Sequence, residues 1–330
     1  MPGPATSKMV SVPATLLVLA TVAVGVPHAQ AAFPGRNGAL ALGGWASSGS
    51  CGEQVPRLGR AADSDGCAFQ PPSPALYLAW LDRRRTERSF WPMCEGGFRG
   101  DARFSPGGAR LVCRTRAGRI VVRSAGSAVD LGAGARAAWS PDGSRVVIEQ
   151  RARLYVRQVG GGHAQFLRLG SSPAWSKRGE IAYVRDETLF VMDSRGRRPR
   201  EIASSKLRRH IEVGPDWSPD GERIAFAACP TRRPCGVYTV TRLGTGLRRI
   251  TYEVDYADFL RYQDSGRVVW SPDARKIAFT LDNGSAGAFA ESFLVSARAS
   301  RPQGRRQWRR ISRYAAVFDW QALPTRRDGR

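Results

Sequence analysis

The chain has 330 residues, 42% of them hydrophobic, with 51 basic against 28 acidic side chains and a formal net charge of +23. That hydrophobic share is enough for a buried core, while the length fits either one large all-β domain or two ordinary ones. Only Lys8, Lys177, Lys206 and Lys276 are lysines, so 47 arginines carry the charge; with abundant Ala and Gly this follows GC-rich coding and says little about partners beyond an attraction to anionic polymers.

Lys8 is the only charge before an apolar run from Ala14 to Val26, and Ala29-Gln30-Ala31 follows as a small-x-small cleavage signature. This is the layout of a secretory signal peptide over residues 1–31. The run is short of the ~20 apolar residues a spanning helix needs, so no transmembrane span is expected after cleavage, and the mature protein is expected to be secreted or held in the cell envelope. Retention of the segment would instead make the chain a membrane-tethered extracytoplasmic sensor. No Cys follows the run as a lipid attachment site.

The next segment, Phe33 to Leu42, places Asn37-Gly38 before an apolar stretch, and ALYLAWLD follows at Ala75 to Asp82. Between them lies a long Gly-, Ser- and Pro-rich insertion, Gly43 to Pro74, with Cys51 and Cys67. From Phe104 onward a phrase recurs: an aromatic residue, Ser-Pro-Asp-Gly or a near copy, then an apolar strand. Its serines are Ser105, Ser140, Ser176, Ser218 and Ser271, spaced 35, 36, 42 and 53 residues apart. A supersecondary unit repeating at this period belongs to a propeller or a solenoid. Pro presets φ at the second turn position, Ser suits the first, and Gly accepts the positive φ that follows, so each copy reads as a hairpin. The leading aromatics are Trp139, Trp175, Trp217 and Trp270, and Asp142, Asp220 and Asp273 are read as turn residues bonding their local backbone. Two more apolar stretches follow in most units, giving about four strands each, the content of a propeller blade.

The C-terminal VFDWQALP has an aromatic strand, with Trp320, but no hairpin partner after it. Trp320 supplies what the first segment lacks, and Asn37-Gly38 supplies the turn. Pairing the two removes exposed strand edges. The expected fold is therefore all-β: a six-bladed β-propeller over residues 32–324, closed by pairing of the C-terminal with the N-terminal strand, with a disordered basic tail at 325–330. The Trp-Ser-Pro-Asp-Gly repeats, the opening FPGRNG and the closing FDWQALP resemble the TolB-type, WD40-like (PD40) six-bladed β-propellers. That resemblance implies an exported propeller working through protein contacts. Members of that family carry a separate N-terminal α/β domain before the propeller; here the propeller is expected to start directly after the signal peptide.

Six cysteines in an exported chain point to disulfides. Fifteen pairings are open, and the spacing favours three local bridges among Cys51 and Cys67, Cys94 and Cys113, and Cys229 and Cys235. No C-x-x-C is present and His is scarce, so no metal or other cofactor is expected. His163 and His210 read as surface residues, and no compact constellation of catalytic carboxylates is visible, so no catalytic residue is assigned. Nucleic acid is not expected as a partner of an exported chain, and no recognition motif for it is visible. The segment Thr251 to Asp264 concentrates Tyr252, Tyr256, Phe259 and Tyr262 among four acidic residues, a composition suited to anchoring a partner. The functional expectation is a monomeric, non-catalytic scaffold that binds a protein or an anionic envelope polymer. The competing class is an enzyme at the mouth of the central channel, such as a polysaccharide lyase or hydrolase, which carboxylates clustered on the axis would favour.

Overall fold

The structure is a computed structural model, described over residues 36–46, 73–81, 85–88, 98–124, 126–202, 211–229, 235–252, 267–282, 290–312 and 315–323. The expected signal peptide and basic tail lie outside these residues. Among them the strands form six four-stranded antiparallel sheets, and a single 3-10 turn, Arg305–Gln307, is the helical element. The chain is an all-β β-propeller.

In chain order the second sheet is β4 (Phe98–Phe104), β5 (Leu111–Thr115), β6 (Arg119–Ser124) and β7 (Ser127–Ala133). The third is β8 (Arg136–Trp139), β9 (Arg145–Gln150), β10 (Arg153–Gln158) and β11 (Gln165–Leu169). The fourth is β12 (Ser171–Trp175), β13 (Glu180–Arg185), β14 (Thr188–Asp193) and β15 (Arg200–Glu201). The fifth is β16 (Ile211–Trp217), β17 (Arg223–Ala228), β18 (Gly236–Thr241) and β19 (Arg248–Arg249). The sixth is β20 (Val269–Trp270), β21 (Lys276–Asp282), β22 (Ala290–Ser296) and β23 (Arg309–Ser312). The first sheet draws on both ends of the chain, in the order β24 (Ala315–Leu323), β1 (Arg36–Ala46), β2 (Ser73–Trp80) and β3 (Arg85–Arg88). In it Leu40 pairs with Trp320 and Leu42 with Val317.

Each repeated aromatic ends the first strand of its sheet, and the Ser-Pro-Asp-Gly turn leads into the second. The three turns that carry Asp at the third position are closed the same way. Ser140 Oγ donates to Asp142 at 2.5 Å and accepts from the Arg145 N–H at 2.9 Å, while Asp142 also accepts from the Ser144 N–H at 3.0 Å. Ser218 with Asp220 and Ser271 with Asp273 repeat the pattern. Burial would raise the Asp142 carboxyl, but the hydrogen bonds from Ser140 and Ser144 override it and hold the pKa at about 2. Gly143 and Gly221 take φ of 68° and 71°; in the sixth sheet Ala274 stands at this left-handed position with φ 57°. A Cβ there is strained by ~1–2 kcal/mol. Ala274→Gly is expected to stabilise the protein by about 1 kcal/mol, read as a raised urea midpoint at unchanged slope; an unaltered or lowered midpoint refutes the strain.

The core lies between sheets. Val112, Ile120 and Leu131 of the second sheet pack with Trp139 and Val146 of the third. Val147 and Leu154 of the third pack with Trp175 and Ile181 of the fourth. Trp217 and Phe226 of the fifth meet Val184 and Val191 of the fourth, and Val237 of the fifth meets Trp270 and Phe279 of the sixth. Leu40, Leu42 and Trp320 of the first sheet pack on Val269, Ala278 and Leu294 of the sixth. The repeat spacing therefore sets the core: Trp139, Trp175, Trp217, Trp270 and Trp320 each fill an inter-sheet seam, with Phe104 the corresponding aromatic of the second sheet, burying areas that dominate local energetics. Cys229 and Cys235 form a disulfide that closes the loop between β17 and β18. Cys113 is also disulfide-bonded; Cys51, Cys67 and Cys94 lie outside the described residues.

Candidate functional site at the axis

The first strands contact one another in the cyclic order β24, β4, β8, β12, β16, β20 and back to β24. Side chains alternate along a strand, so when the repeat aromatic turns into a seam, the residue before it turns to the axis. Asp319, Arg103, Ala138, Ala174 and Asp216 border the axial cavity in this way, whereas Val269 of β20 packs in the seam with Leu40, Leu42 and Trp320. Three are charged, all are buried, and they meet. Arg103 Nη1 donates to Asp216 Oδ1 at 3.0 Å and to Asp319 Oδ1 at 3.2 Å. The arginine of the second sheet thus ties the fifth sheet to the first. Each carboxylate also accepts a backbone N–H from the following sheet, Phe104 N at 2.7 Å for Asp319 and Trp270 N at 2.8 Å for Asp216.

Two residues further back along the strands a second pair bridges the axis. Arg267, just before β20, donates its Nε–H to Asp101 Oδ1 at 2.8 Å, and Asp101 Oδ2 accepts from Ala137 N at 2.8 Å. The two tiers interact electrostatically. Burial, and then the neighbouring Arg103, brings Arg267 down to about 10, so it remains a cation at neutral pH. Burial raises Asp216 and carries Asp319 to about 6, against the pull of Arg103 and aided by the like charge of Asp216. Two guanidinium groups thus face three carboxyl groups, and one proton on Asp319 makes the cluster neutral.

The indoles of the repeat mark the same axis. Trp139 Nε1 donates to Arg103 O at 3.0 Å and Trp217 Nε1 to Ala174 O at 3.0 Å, in each case the carbonyl just before the preceding sheet's aromatic. Trp175 Nε1 is buried with no partner, as are Arg103 Nε and Nη2. A cavity of about 20 Å³ lies here, bounded by Arg103, Asp216, Asp319, Ala138, Ala174 and Trp175 among others.

The turns also link neighbouring sheets. Gln321 Nε2 donates to Gly108 O at 3.0 Å, Arg110 Nη2 to Gly143 O at 2.7 Å, and Arg178 Nε to Asp220 O at 3.3 Å. Asn37 and Asp273 exchange two hydrogen bonds, Asn37 Nδ2 to Asp273 Oδ2 at 3.0 Å and Asp273 N to Asn37 Oδ1 at 3.2 Å. Arg110 lies over the Trp139 ring at 4.9 Å and Arg145 over Trp175 at 5.2 Å, contacts worth ~0.5–2 kcal/mol.

No family model matches the chain. A curated relative, a TolB homologue of Chlorobium luteolum, is 29% identical over 123 residues, which cover 34% of this chain and 27% of that protein. The match therefore spans about a quarter of the relative's length. Among solved structures, TolB of Acinetobacter baumannii aligns with a TM-score of 0.58 at 12% identity, covering 87% of this chain and 67% of that one. A TolB-class protein of Agrobacterium tumefaciens aligns at 0.52 and 18% identity, covering 74% of this chain and 98% of the other. The fold is similar to that of the TolB β-propellers.

Within this TolB-like propeller the repeat residues singled out from the sequence serve the scaffold. Trp139, Trp175, Trp217, Trp270 and Trp320 are buried in the seams, and Asp142, Asp220 and Asp273 sit in the turns. Tyr252 is 52% exposed, and its N–H donates to Gln303 O at 2.8 Å. Tyr256, Phe259 and Tyr262 lie outside the described residues, as does His210; His163 is exposed in the turn after β10. Sequence reasoning missed Asp101, Arg103, Asp216, Arg267 and Asp319. The sequence shows no compact constellation of catalytic carboxylates, and the three that the fold brings to the axis come from β4, β16 and β24, segments too far apart in the chain to read as one motif. A signal was available in the residue preceding each repeat aromatic, where Arg103-Phe104, Asp216-Trp217 and Asp319-Trp320 place a charge on a strand that must be buried.

Proposed function

We propose that this chain is an exported, non-catalytic scaffold that binds a protein or an anionic envelope component through its loop-bearing surface, and that its six sheets are the blades of one ring joined through β24 and β1. Likeness to TolB supports an envelope-associated binding role, and the disulfides of Cys113 and of Cys229 with Cys235 support an extracytoplasmic setting. Among the described residues no helix is long and apolar enough to cross a membrane. The backbone pairing of β24 with β1, the Asn37–Asp273 exchange and the Trp320 seam support the ring.

The observation that carries the non-catalytic reading is the state of the axis. Clustered carboxylates there would favour a channel-mouth enzyme if they were free to act. Asp216 and Asp319 are instead tied to Arg103 and to backbone N–H groups, Asp101 is tied to Arg267, and the cavity beside them is about 20 Å³, against the ~10–15 Å³ that one water requires. Binding is therefore assigned to the surface loops, foremost the aromatic and acidic segment from Thr251 to Asp264. A pulldown from cell-envelope extract, with that segment intact and then replaced by a Gly-Ser linker, tests this. Loss of specific captured components on replacement is expected; an unchanged set refutes the assignment.

A further inference from the structure

The axial cavity is bounded by unlike groups whose hydrogen-bonding capacity is incompletely used. Arg103 is buried, and its Nε and Nη2 make no hydrogen bond. An unmade bond from a buried charged donor carries a large desolvation penalty. Trp139 and Trp217 each donate to a carbonyl of the preceding sheet, whereas the N–H groups of Trp175 and Trp270 have no acceptor; of these two, Trp175 borders the cavity. Both Arg103 and Trp175 line the cavity, and so do the carboxylates of Asp216 and Asp319. A space of about 20 Å³ exceeds the ~10–15 Å³ that one water requires.

We infer that this cavity is a built binding site for one ordered water molecule, which accepts from Arg103 or Trp175 and donates to Asp216 or Asp319. The chemistry selects the guest. A cation would be repelled by Arg103, which already occupies the position between the carboxylates. An anion would stand against both carboxylates. Water alone both accepts from the unpartnered N–H groups and donates to the carboxylate oxygens, and it needs only ~2–4 polar partners to be held. The water completes the plug, joining the second, fourth and fifth sheets where direct contacts leave donors unmade.

An experimental crystal structure of the full mature chain, grown in sodium bromide, tests this directly. Expected is a single oxygen peak within hydrogen-bond distance of Arg103 or Trp175 and of one carboxylate, without anomalous signal. An empty cavity overturns the inference, and so does an anomalous bromide peak, which would make the site an anion site. A second measurement uses Ala174→Val, which fills the cavity from the fourth sheet. If water occupies it, the valine expels a bonded guest and the melting temperature falls. If the cavity is dry, filling it raises the melting temperature, and the inference fails.

Discussion

Replacement of Arg103 by methionine is expected to cost about 3–5 kcal/mol of folding stability at neutral pH, the penalty for leaving a buried charge without its partner. Arg103 is the only side chain hydrogen-bonded to Asp216 and Asp319 among the described residues, and both acids are buried. Methionine matches much of the arginine volume, so the loss reports charge rather than a void. The triple change Arg103→Met, Asp216→Asn, Asp319→Asn should recover much of the loss, because buried ion pairs replaced as a set are often nearly neutral. The asparagine carbonyl oxygens can still accept from Phe104 N and Trp270 N. Urea denaturation of wild type, single and triple variants measures this. A single variant within about 0.5 kcal/mol of wild type, the usual range for a surface substitution, refutes the view that the axis is an energetically coupled plug.

The same cluster shows which level of the structure the sequence made legible. The turn chemistry is local: Ser140, Asp142 and Gly143 lie within four residues and satisfy one another. The repeat spacing is local too, and it located the tryptophans that fill each seam. The complementarity of Asn37-Gly38 with Trp320 was readable because both depart from the repeat in matching ways, and β1 does pair with β24. Cys229 and Cys235 were readable because they bracket one short loop. The axial residues were hidden by distance. Arg103 and Asp216 are 113 residues apart, and Asp101 and Arg267 are 166 apart. Each alone passes for a solvated charge at a strand end, in a chain where 47 arginines make any one of them unremarked. The alternation rule points to them: a strand that buries its aromatic in one seam turns the preceding side chain to the opposite face, which at β4, β16 and β24 borders the axis.

That placement also couples the fold to its outer surface. The axial residues Asp319 and Asp216 hold backbone amides of the next sheet, at Phe104 and Trp270, one position before the turn serines Ser105 and Ser271. Those turns in turn contact their neighbours through Gln321 with Gly108 and Asn37 with Asp273. A change in charge on the axis is therefore one hydrogen bond away from the turn-bearing rim.

Stability is expected to fall as the pH rises from about 4 to above 6, and Asp319 is the group responsible. Its folded pKa is raised from 3.8 to about 6, first by burial, then by the repulsion of Asp216 that adds to it, with Arg103 opposing. A carboxyl with a raised folded pKa binds its proton more tightly in the native than in the unfolded state. Its stabilising contribution is then full below the unfolded pKa and is lost as the pH climbs through the folded one. The difference corresponds to about 3 kcal/mol at 1.36 kcal/mol per pH unit. The groups facing Asp319 are Arg103 and Asp216, with Asp101 and Arg267 in the tier behind. Both arginines stay charged across the interval. Asp216 is also raised and adds to the slope in the same direction. The turn carboxylates Asp142, Asp220 and Asp273 are lowered; they contribute stability above their unfolded pKa and lose it only in more acid solution. Comparison of wild type with Asp319→Asn isolates the term, because the amide does not titrate and keeps an acceptor for Phe104 N. Urea denaturation from pH 4 to 8 should give the wild type a steeper decline than the variant, with the two curves converging or crossing toward high pH. Parallel curves across that range would show that Asp319 does not take up its proton in the folded protein.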